Sequence, residues 1–110
     1  MRQRDISNFE LMILLALIRL GENAYGVPIS LEIEKRTRRD VALGSVYAAL
    51  ERLEKKGLVV SSLGEATPER GGKAKRFFHL TGKGLRDVRE TQRALEKLWK
   101  GLPELSGGKA

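Results

Sequence analysis

From Gly44 the chain reads Gly-Ser-Val-Tyr-Ala-Ala-Leu-Glu-Arg-Leu-Glu-Lys-Lys-Gly-Leu-Val-Val, and from Ala74 it reads Ala-Lys-Arg-Phe-Phe-His-Leu-Thr. The first stretch predicts a helix over about residues 43–56, because its apolar residues recur at helical spacing and form one buried stripe. Gly57 suits the position just after the end of that helix. A helix whose first turn is small and uncharged can enter a DNA major groove. The stripe consists of Val46, Leu50 and Leu53.

A hairpin is predicted directly after this helix. β-Favouring residues occupy 58–60 and 76–80, and the 64–74 stretch between them is rich in glycine and charge. Cations at the tip and base of a hairpin can bind phosphate groups, although a charged loop is also often only a solvated surface. A helix followed by such a hairpin is the order of a winged helix. The cations are Arg70, Lys73, Lys75 and Arg76.

Size, charge and cysteine content narrow the class of protein. The chain has 110 residues and a formal net charge of +7, which favours a polyanionic partner and one domain. It contains no cysteine, so disulfide frameworks and thiolate metal sites are excluded, and a reducing cytoplasm is permitted. The apolar run from Leu11 to Ile18 is too short to span a bilayer, and we expect neither a signal peptide nor membrane association.

The first helix is predicted from Asn8 to Leu20. Ser7 and Glu10 have the spacing of a capping box, and Gly21 marks the end. The helix is apolar nearly all round, so it needs cover on more than one side. Either it is a central core helix, or part of it faces a second subunit. In the second case the interface includes Leu11 and Leu15.

The second helix lies within residues 24–37, beginning either after Asn23 as a cap or at Pro28, which suits a first turn. Its apolar positions are Ile29, Leu31 and Ile33. The basic run 35–39 follows and either lies near phosphates or is a solvated face. The third helix lacks a capping side chain at Ala42, and Asp40 could cap an earlier start. Its exposed face is predicted to carry Ser45, Ala48, Glu51, Arg52 and Lys55, with Tyr47 at the flank.

The last helix is predicted from the cap residue Thr81 to about Lys100. Its apolar residues step alternately by three and four, which is the spacing of a heptad seam and favours a homodimer. An ordinary amphipathic helix packed on its own domain is the alternative. Residues 103–110 are expected to form a flexible tail. The seam consists of Leu85, Val88, Gln92, Leu95, Trp99 and Leu102.

The residues that support catalysis are missing. The chain has one histidine, His79, in a strand pattern beside Phe77 and Phe78, where a structural or surface role is expected. Without cysteine or a close acidic cluster we expect no metal site and no cofactor. The Gly71-Gly72-Lys73 string lacks the spacing of a P-loop and precedes a strand. An enzyme is therefore not expected.

Several motifs occur together in one order: Tyr25-Gly26, Leu43-Gly44-Ser45-Val46-Tyr47, the stretch Arg52–Val59, the wing Gly71–Thr81 and Gly82-Lys83-Gly84. Their combination resembles the PadR family of transcriptional regulators over about residues 7–100. It is similar to the short subgroup, in which a single C-terminal helix serves for dimerisation. One departure is visible, because many members have Ser-Pro where this chain has Ala42-Leu43.

The resemblance implies a fold that is mainly α with a small β-hairpin: a winged helix-turn-helix over residues 1–80 and a dimerisation helix over 81–102. It implies a prokaryotic, cytoplasmic homodimer that represses an inverted-repeat operator on double-stranded DNA and is often released by a small aromatic effector. Tyr25, Ser45 and Tyr47 match the DNA-contacting motifs, and Lys73 and Lys75 match the basic wing. We expect Arg39 and Arg70 to contact phosphate with them.

Three alternatives stay open at this point. A winged helix can serve as a protein-interaction module without specific DNA binding. A basic dimer can also bind DNA without sequence preference. Trp99 is either a packing anchor of the dimer or part of a pocket where a planar ligand stacks.

Overall fold

The computed structural model describes residues 6–64 and 74–103. Four helices and one antiparallel hairpin follow in the order α1 (Asn8–Leu20), a short 3₁₀ turn (Gly21–Asn23), α2 (Gly26–Thr37), α3 (Leu43–Lys55), β1 (Val59–Leu63), β2 (Arg76–Leu80) and α4 (Gly82–Trp99). This is the mainly α architecture with a small hairpin that the sequence predicts, and all four helix positions are confirmed. The tail from residue 104 onward lies outside the described residues.

The helix boundaries follow from local chemistry. The capping box of α1 is present, since the Ser7 hydroxyl accepts from the Glu10 amide and the Glu10 carboxylate accepts from the Ser7 amide. Helix α2 begins after Tyr25, so that Pro28 lies in its first turn and Asn23 belongs to the preceding 3₁₀ turn. At the start of α4 the Thr81 hydroxyl accepts from the Gly84 amide, which confirms the predicted cap.

The core lies where α1, α2 and α3 meet the hairpin. Its side chains come from the predicted stripes of α2 and α3 and from the inner face of α1. Leu31 does not join Ile29 and Ile33, because two residues along a helix point to opposite sides, and it is exposed. The largest fully buried side chains are Ile13, Leu14, Ile29, Val46, Leu50, Leu53, Leu58 and Val59.

The hairpin packs against the helices at its base. Its strands pair from Val59 opposite Leu80 to Leu63 opposite Arg76. The Phe78 amide also donates to the Ala24 carbonyl at 2.9 Å, which ties β2 to the segment before α2. Phe78 and Val59 point into the core, whereas the far end of β1 is exposed. The hairpin is therefore fixed against α1, α3 and the segment before α2.

Helix α4 is anchored only at its beginning. The Gly84 α-carbon lies so close to the Leu58 carbonyl that an added Cβ would be 2.2 Å from that oxygen. Val88, predicted for an intersubunit seam, is buried in the core of this same chain, because α4 leans on α1 and β2 through its first turns. From residue 89 onward nearly every side chain is exposed. The distal half of α4 therefore projects from the body of the protein.

Candidate nucleic-acid interface and dimer surface

Helix α3 presents the polar face that the sequence predicts. Ser45, Tyr47 and Ala48 are exposed, as are Glu51 and Lys55 further along. The first turn carries Gly44 and Ser45, neither of which has a bulky or charged side chain. Ala42 is the N-cap and offers no side-chain acceptor, so the prediction that Asp40 caps an earlier start is wrong. The N-terminal end of α3 is therefore exposed to solvent. No side chain of the described residues caps the positive end of its helix dipole.

The turn that leads into α3 is held from α2. The Ser30 hydroxyl donates to the Val41 carbonyl at 3.0 Å, and the Glu34 carboxylate accepts from the Val41 amide at 2.8 Å. Residue Arg38, which ends α2, has a left-handed backbone with φ of 62°. These two bonds set the angle between α2 and α3 without any cap on α3. The sequence analysis missed them because both link residues on different elements.

Arg39 and Ser45 border the same small cavity. Both line a cavity of about 200 Å³ beside the α2–α3 turn, which Asp40 and Ala42 also border. Arg39 is exposed, and its guanidinium has no hydrogen bond or ion pair among the described residues. The structure therefore places one predicted phosphate-binding cation next to the predicted reading turn of α3.

The two predicted tyrosines connect α2, α3 and the wing. The Tyr47 hydroxyl lies against Gly26, where an added Cβ would be 2.3 Å away, so a side chain at that point of α2 would require the half-exposed Tyr47 ring to move. Tyr25 packs edge-on to Phe77 of β2, with ring centroids 5.4 Å apart. The Lys75 ammonium lies 4.5 Å above the Tyr25 ring, within range of a cation–π interaction. Tyr25 therefore serves as the packing surface that positions a wing cation.

Of the other wing cations, only Arg76 lies among the described residues. Arg76 donates to the Ser61 hydroxyl at 3.2 Å, and Ser61 in turn donates to Glu54 at 2.9 Å, which joins the wing to α3. Arg70 and Lys73, predicted to contact phosphate, lie outside the described residues. His79 is half-buried in β2, as expected for a structural residue.

Glu10 makes the strongest electrostatic contact of this region. Its side chain is only 3% exposed and receives Arg52 Nε and Lys56 Nζ, each at 2.8 Å. Burial alone raises the pKa of a carboxyl, but the hydrogen bonds from Lys56, Arg52 and the Ser7 amide outweigh it and hold the pKa of Glu10 at about 2. One carboxylate thus fixes the start of α1 to the last turns of α3. The sequence analysis assigned it only to the capping box.

The projecting part of α4 carries an unpaired apolar face. Leu95 and Trp99 of the predicted seam are half-exposed, and Leu98 beside them is 75% exposed. Gln92 donates to Glu96 one turn further on and is also exposed. On α1, Leu15 and Ile18 are exposed, whereas Leu11 packs partly on the core. The remaining seam residues, Leu85 and Leu102, are partly exposed as well.

A cleft separates the beginning of α1 from α4. It has a volume of about 1020 Å³, with Ile6, Ser7 and Glu10 on one wall and Glu90, Ala94 and Leu95 on the other. The cations Lys56, Arg93 and Lys97 also line it. No group of metal-binding side chains occurs in residues 6–64 and 74–103. Within the same ranges, no helix has the length and hydropathy needed to cross a bilayer.

Comparison with solved structures finds the same arrangement in several regulators. A PadR-like transcriptional regulator from Bacillus cereus is 27% identical, with a TM-score of 0.70 over 92% of this chain and 93% of that one. A PadR-like transcription factor from Bacteroides fragilis is 26% identical, with a TM-score of 0.72 over 89% of each chain. A transcriptional regulator from Clostridium thermocellum is 26% identical, with a TM-score of 0.70 over 89% of this chain and 92% of that one.

Among curated proteins none matches the sequence. The sequence itself matches the transcriptional regulator PadR-like family over residues 14–90, a range that contains α2, α3, both strands and the anchored half of α4. The motifs quoted above lie within that range or next to it. The range also contains the Thr81 cap and the close contact of Gly84 at the start of α4. Members of this family are transcriptional regulators, not enzymes. By its sequence and by its fold, the chain belongs to the PadR-like family of transcriptional regulators.

Proposed function

We propose that this protein is a homodimeric, sequence-specific DNA-binding repressor that acts on an inverted-repeat operator in a prokaryotic cytoplasm. The observation that carries the proposal is the start of α3. It is exposed and has no side-chain cap, its first turn carries no charged side chain, and Arg39 borders the same small cavity as Ser45, while Lys75 lies on the wing beside Tyr25 at the start of α2. Such a helix end can approach base edges while the flanking cations neutralise phosphates.

Each proposed contact residue has a separate role. Ser45 and Tyr47 meet base edges or adjacent phosphates in the major groove, whereas Arg39 and Lys75 act through the backbone of the duplex. Arg70 and Lys73 join the second group, on the basis of the resemblance alone. Tyr25 acts mainly by supporting Lys75, as its ring lies beneath that ammonium. Specificity is therefore expected to depend on α3 and affinity on the wing.

Footprinting on the region upstream of the gene for this protein tests the proposal. A protected inverted repeat, with half-site centres about 34 Å apart on one face of the duplex, is the expected result. Ser45 is exposed in the first turn of α3, where acidic residues are favourable for a helix. Ser45→Glu should therefore leave the fold intact, and its negative charge should abolish protection of the DNA. Lys75→Ala should weaken binding to all sequences and reduce the salt slope by about 1.

Two outcomes would replace the proposal. Equal affinity for upstream and random DNA would identify a sequence-independent DNA-binding protein. Negligible affinity for any duplex at about 50 mM salt, where phosphate contacts are strong, would favour a protein-interaction module.

Release by a planar aromatic effector is the regulatory part of the proposal, and Trp99 supports it. It is the chain's single tryptophan and is 47% exposed on the apolar side of α4. In a dimer it either packs between the subunits or stacks on a ligand there. Quenching of its fluorescence by a panel of aromatic compounds, with loss of operator binding, is expected for a ligand site. No quenching while the dimer stays intact assigns Trp99 to packing.

A further inference from the structure

A second basic surface lies on α4, a different element from α3 and the wing, and its distal end borders the cleft that Lys56 at the end of α3 also lines. Arg86, Arg89, Arg93 and Lys97 follow one another at spacings of three, four and four residues. At 3.6 residues per turn, these spacings place the four side chains within about 80° of the helix circumference. The row is about 16 Å long, since each residue adds about 1.5 Å. We refer to these four residues as the basic face of α4.

The four cations are exposed and lack acidic partners. Their side chains all belong to the exposed class, and none forms an ion pair or a hydrogen bond with any of the described residues. By contrast, Arg36, Arg52 and Lys56 are each bound to a carboxylate. Glu90 and Glu96 lie within one turn of Arg93, although neither forms a described ion pair with it. The four cations of the basic face therefore outnumber the two exposed carboxylates on α4.

The basic face does not coincide with the proposed dimer surface. The apolar side of α4, formed by Leu85, Leu95 and Trp99, is centred about 120° around the helix from the four cations. A partner subunit seated on the apolar side would leave Arg86 and Arg89 in solvent, whereas Arg93 and Lys97 line the cleft to α1 that Leu95 also borders. Four like charges at neighbouring helical positions repel one another, which is unfavourable unless an anion lies against them.

We propose that the basic face of α4 binds phosphates of duplex DNA outside the groove that α3 enters. The inference rests on the proposed function, because it assigns a further contact to a DNA-bound protein. Charge complementarity carries it: phosphates recur every 3.4 Å along each strand, so a row of about 16 Å can meet several of them. Such contacts are independent of sequence and add affinity and salt dependence.

A membrane surface is the other polyanion that a basic amphipathic helix can meet. That arrangement needs the apolar side of the helix to insert between lipids. In the proposed dimer the same side is covered by the second subunit, so duplex DNA is the partner favoured here. Vesicles rich in anionic phospholipid are included in the test for this reason.

The test is binding of the full chain to a random duplex of about 40 base pairs, measured between about 50 and 200 mM salt. Arg89→Gln/Arg93→Gln should lower affinity roughly 10- to 100-fold and reduce the salt slope by about 2 for each basic face on the duplex, since each phosphate contact contributes about 0.9. Arg89→Lys/Arg93→Lys should retain most of the slope. The matched control for the single variant Arg89→Gln is Arg19→Gln, which removes one positive charge from the last turn of α1 and should change affinity by less than about twofold.

The possible outcomes separate this inference from the proposed function. If Arg89→Gln/Arg93→Gln behaves like the control while Ser45→Glu abolishes operator binding, the basic face is not a DNA contact and the proposed function stands. If Ser45→Glu has no effect while the double variant loses binding, the basic face binds DNA and α3 does not read it. Binding of anionic vesicles that competes with DNA binding and is lost in the double variant overturns the assignment to DNA. Circular dichroism checks the fold, and if the double variant unfolds, Arg89→Gln alone should still reduce the slope by about 1.

Discussion

At the scale of single residues, Glu10 shows how one buried charge can organise two helices. It accepts a hydrogen bond from the Ser7 amide at the start of α1, and it also binds Arg52 of α3 and Lys56, the C-cap of α3. A capping box could be predicted from the sequence because both of its residues are local. The link to Arg52 could not, since 42 positions separate the two residues and only the packing of α1 on α3 brings them together.

The pH dependence of folding should report this carboxylate. Its pKa is lowered from the ordinary value of 4.5 to about 2, so its stabilisation is complete above pH 4.5 and is lost as the pH falls toward 2. Glu10→Gln should lower the free energy of unfolding by about 2 kcal/mol at neutral pH, after allowing for screening of the half-exposed Arg52. Urea unfolding at fixed protein concentration measures both curves, which should converge near pH 2. Glu32→Gln, which removes only a helix-surface pair with Arg36, serves as the control and should have a much smaller effect.

Gly84 is the second residue whose substitution should have a large effect on stability. An added Cβ would lie 2.2 Å from the Leu58 carbonyl oxygen and 3.1 Å from its carbon, and both atoms are backbone. Gly84→Ala should therefore push α4 off the hairpin and destabilise the protein by about 2 kcal/mol or more in urea unfolding. Gly82→Ala lies in the same turn and meets only the end of Arg86 at 3.7 Å. It should be neutral or stabilising by up to about 1 kcal/mol, and equal effects of the two would contradict the close contact.

At the scale of elements, the sequence predicts where helices begin and end better than it predicts which neighbours each helix packs against. The bounds of α1 and β2 agree with those predicted, because capping residues and β-branched or aromatic runs act locally. The outward position of Leu31 and the inward position of Val88 depend on which neighbours each helix meets, and that is decided by tertiary packing. The same holds for the Tyr25–Lys75 stack that positions the wing.

The open end of α3 leads to an element-scale prediction. Ala42 has the extended backbone of an N-cap, with φ of −71° and ψ of 136°, but its side chain offers no acceptor for the first-turn amides, of which that of Ser45 donates to the Ala42 carbonyl. Ala42→Ser supplies one and should stabilise the protein by about 1 kcal/mol in thermal unfolding. Thr81→Ala removes the corresponding cap of α4 and its bond to the Gly57 carbonyl, and should cost about 1 to 2 kcal/mol. If Ala42→Ser gave no gain, those amides would have to be satisfied already by another partner.

At the scale of the whole molecule, the exposed apolar side chains bear on its oligomeric state. Half of α4 projects beyond the core, and it carries Leu95, Leu98 and Trp99 in positions where solvent reaches them. Leu15 and Ile18 are further exposed apolar side chains, on α1. Contiguous exposed apolar patches are rare on monomers and typically mark interfaces. The heptad spacing indicated a seam, but only the structure shows that its first turns are used within the chain.

The dimer prediction concerns both assembly and the spacing of DNA sites. Leu95→Glu places a charge within the apolar side of α4 and should convert the dimer into a monomer, as measured by light scattering and by loss of the concentration dependence of the melting temperature. Leu63→Glu, at an apolar residue on β1 that is more open to solvent than Leu95, should leave the dimer intact. Two linked reading helices require half-sites about one helical turn apart. Inserting about 5 base pairs between the half-sites should therefore abolish tight binding of the wild-type protein, because the second half-site then faces the opposite side of the duplex. The weak binding of the Leu95→Glu monomer should not change with that insertion. If both proteins respond alike, the spacing is set by the DNA or by another contact, and α4 does not join the subunits.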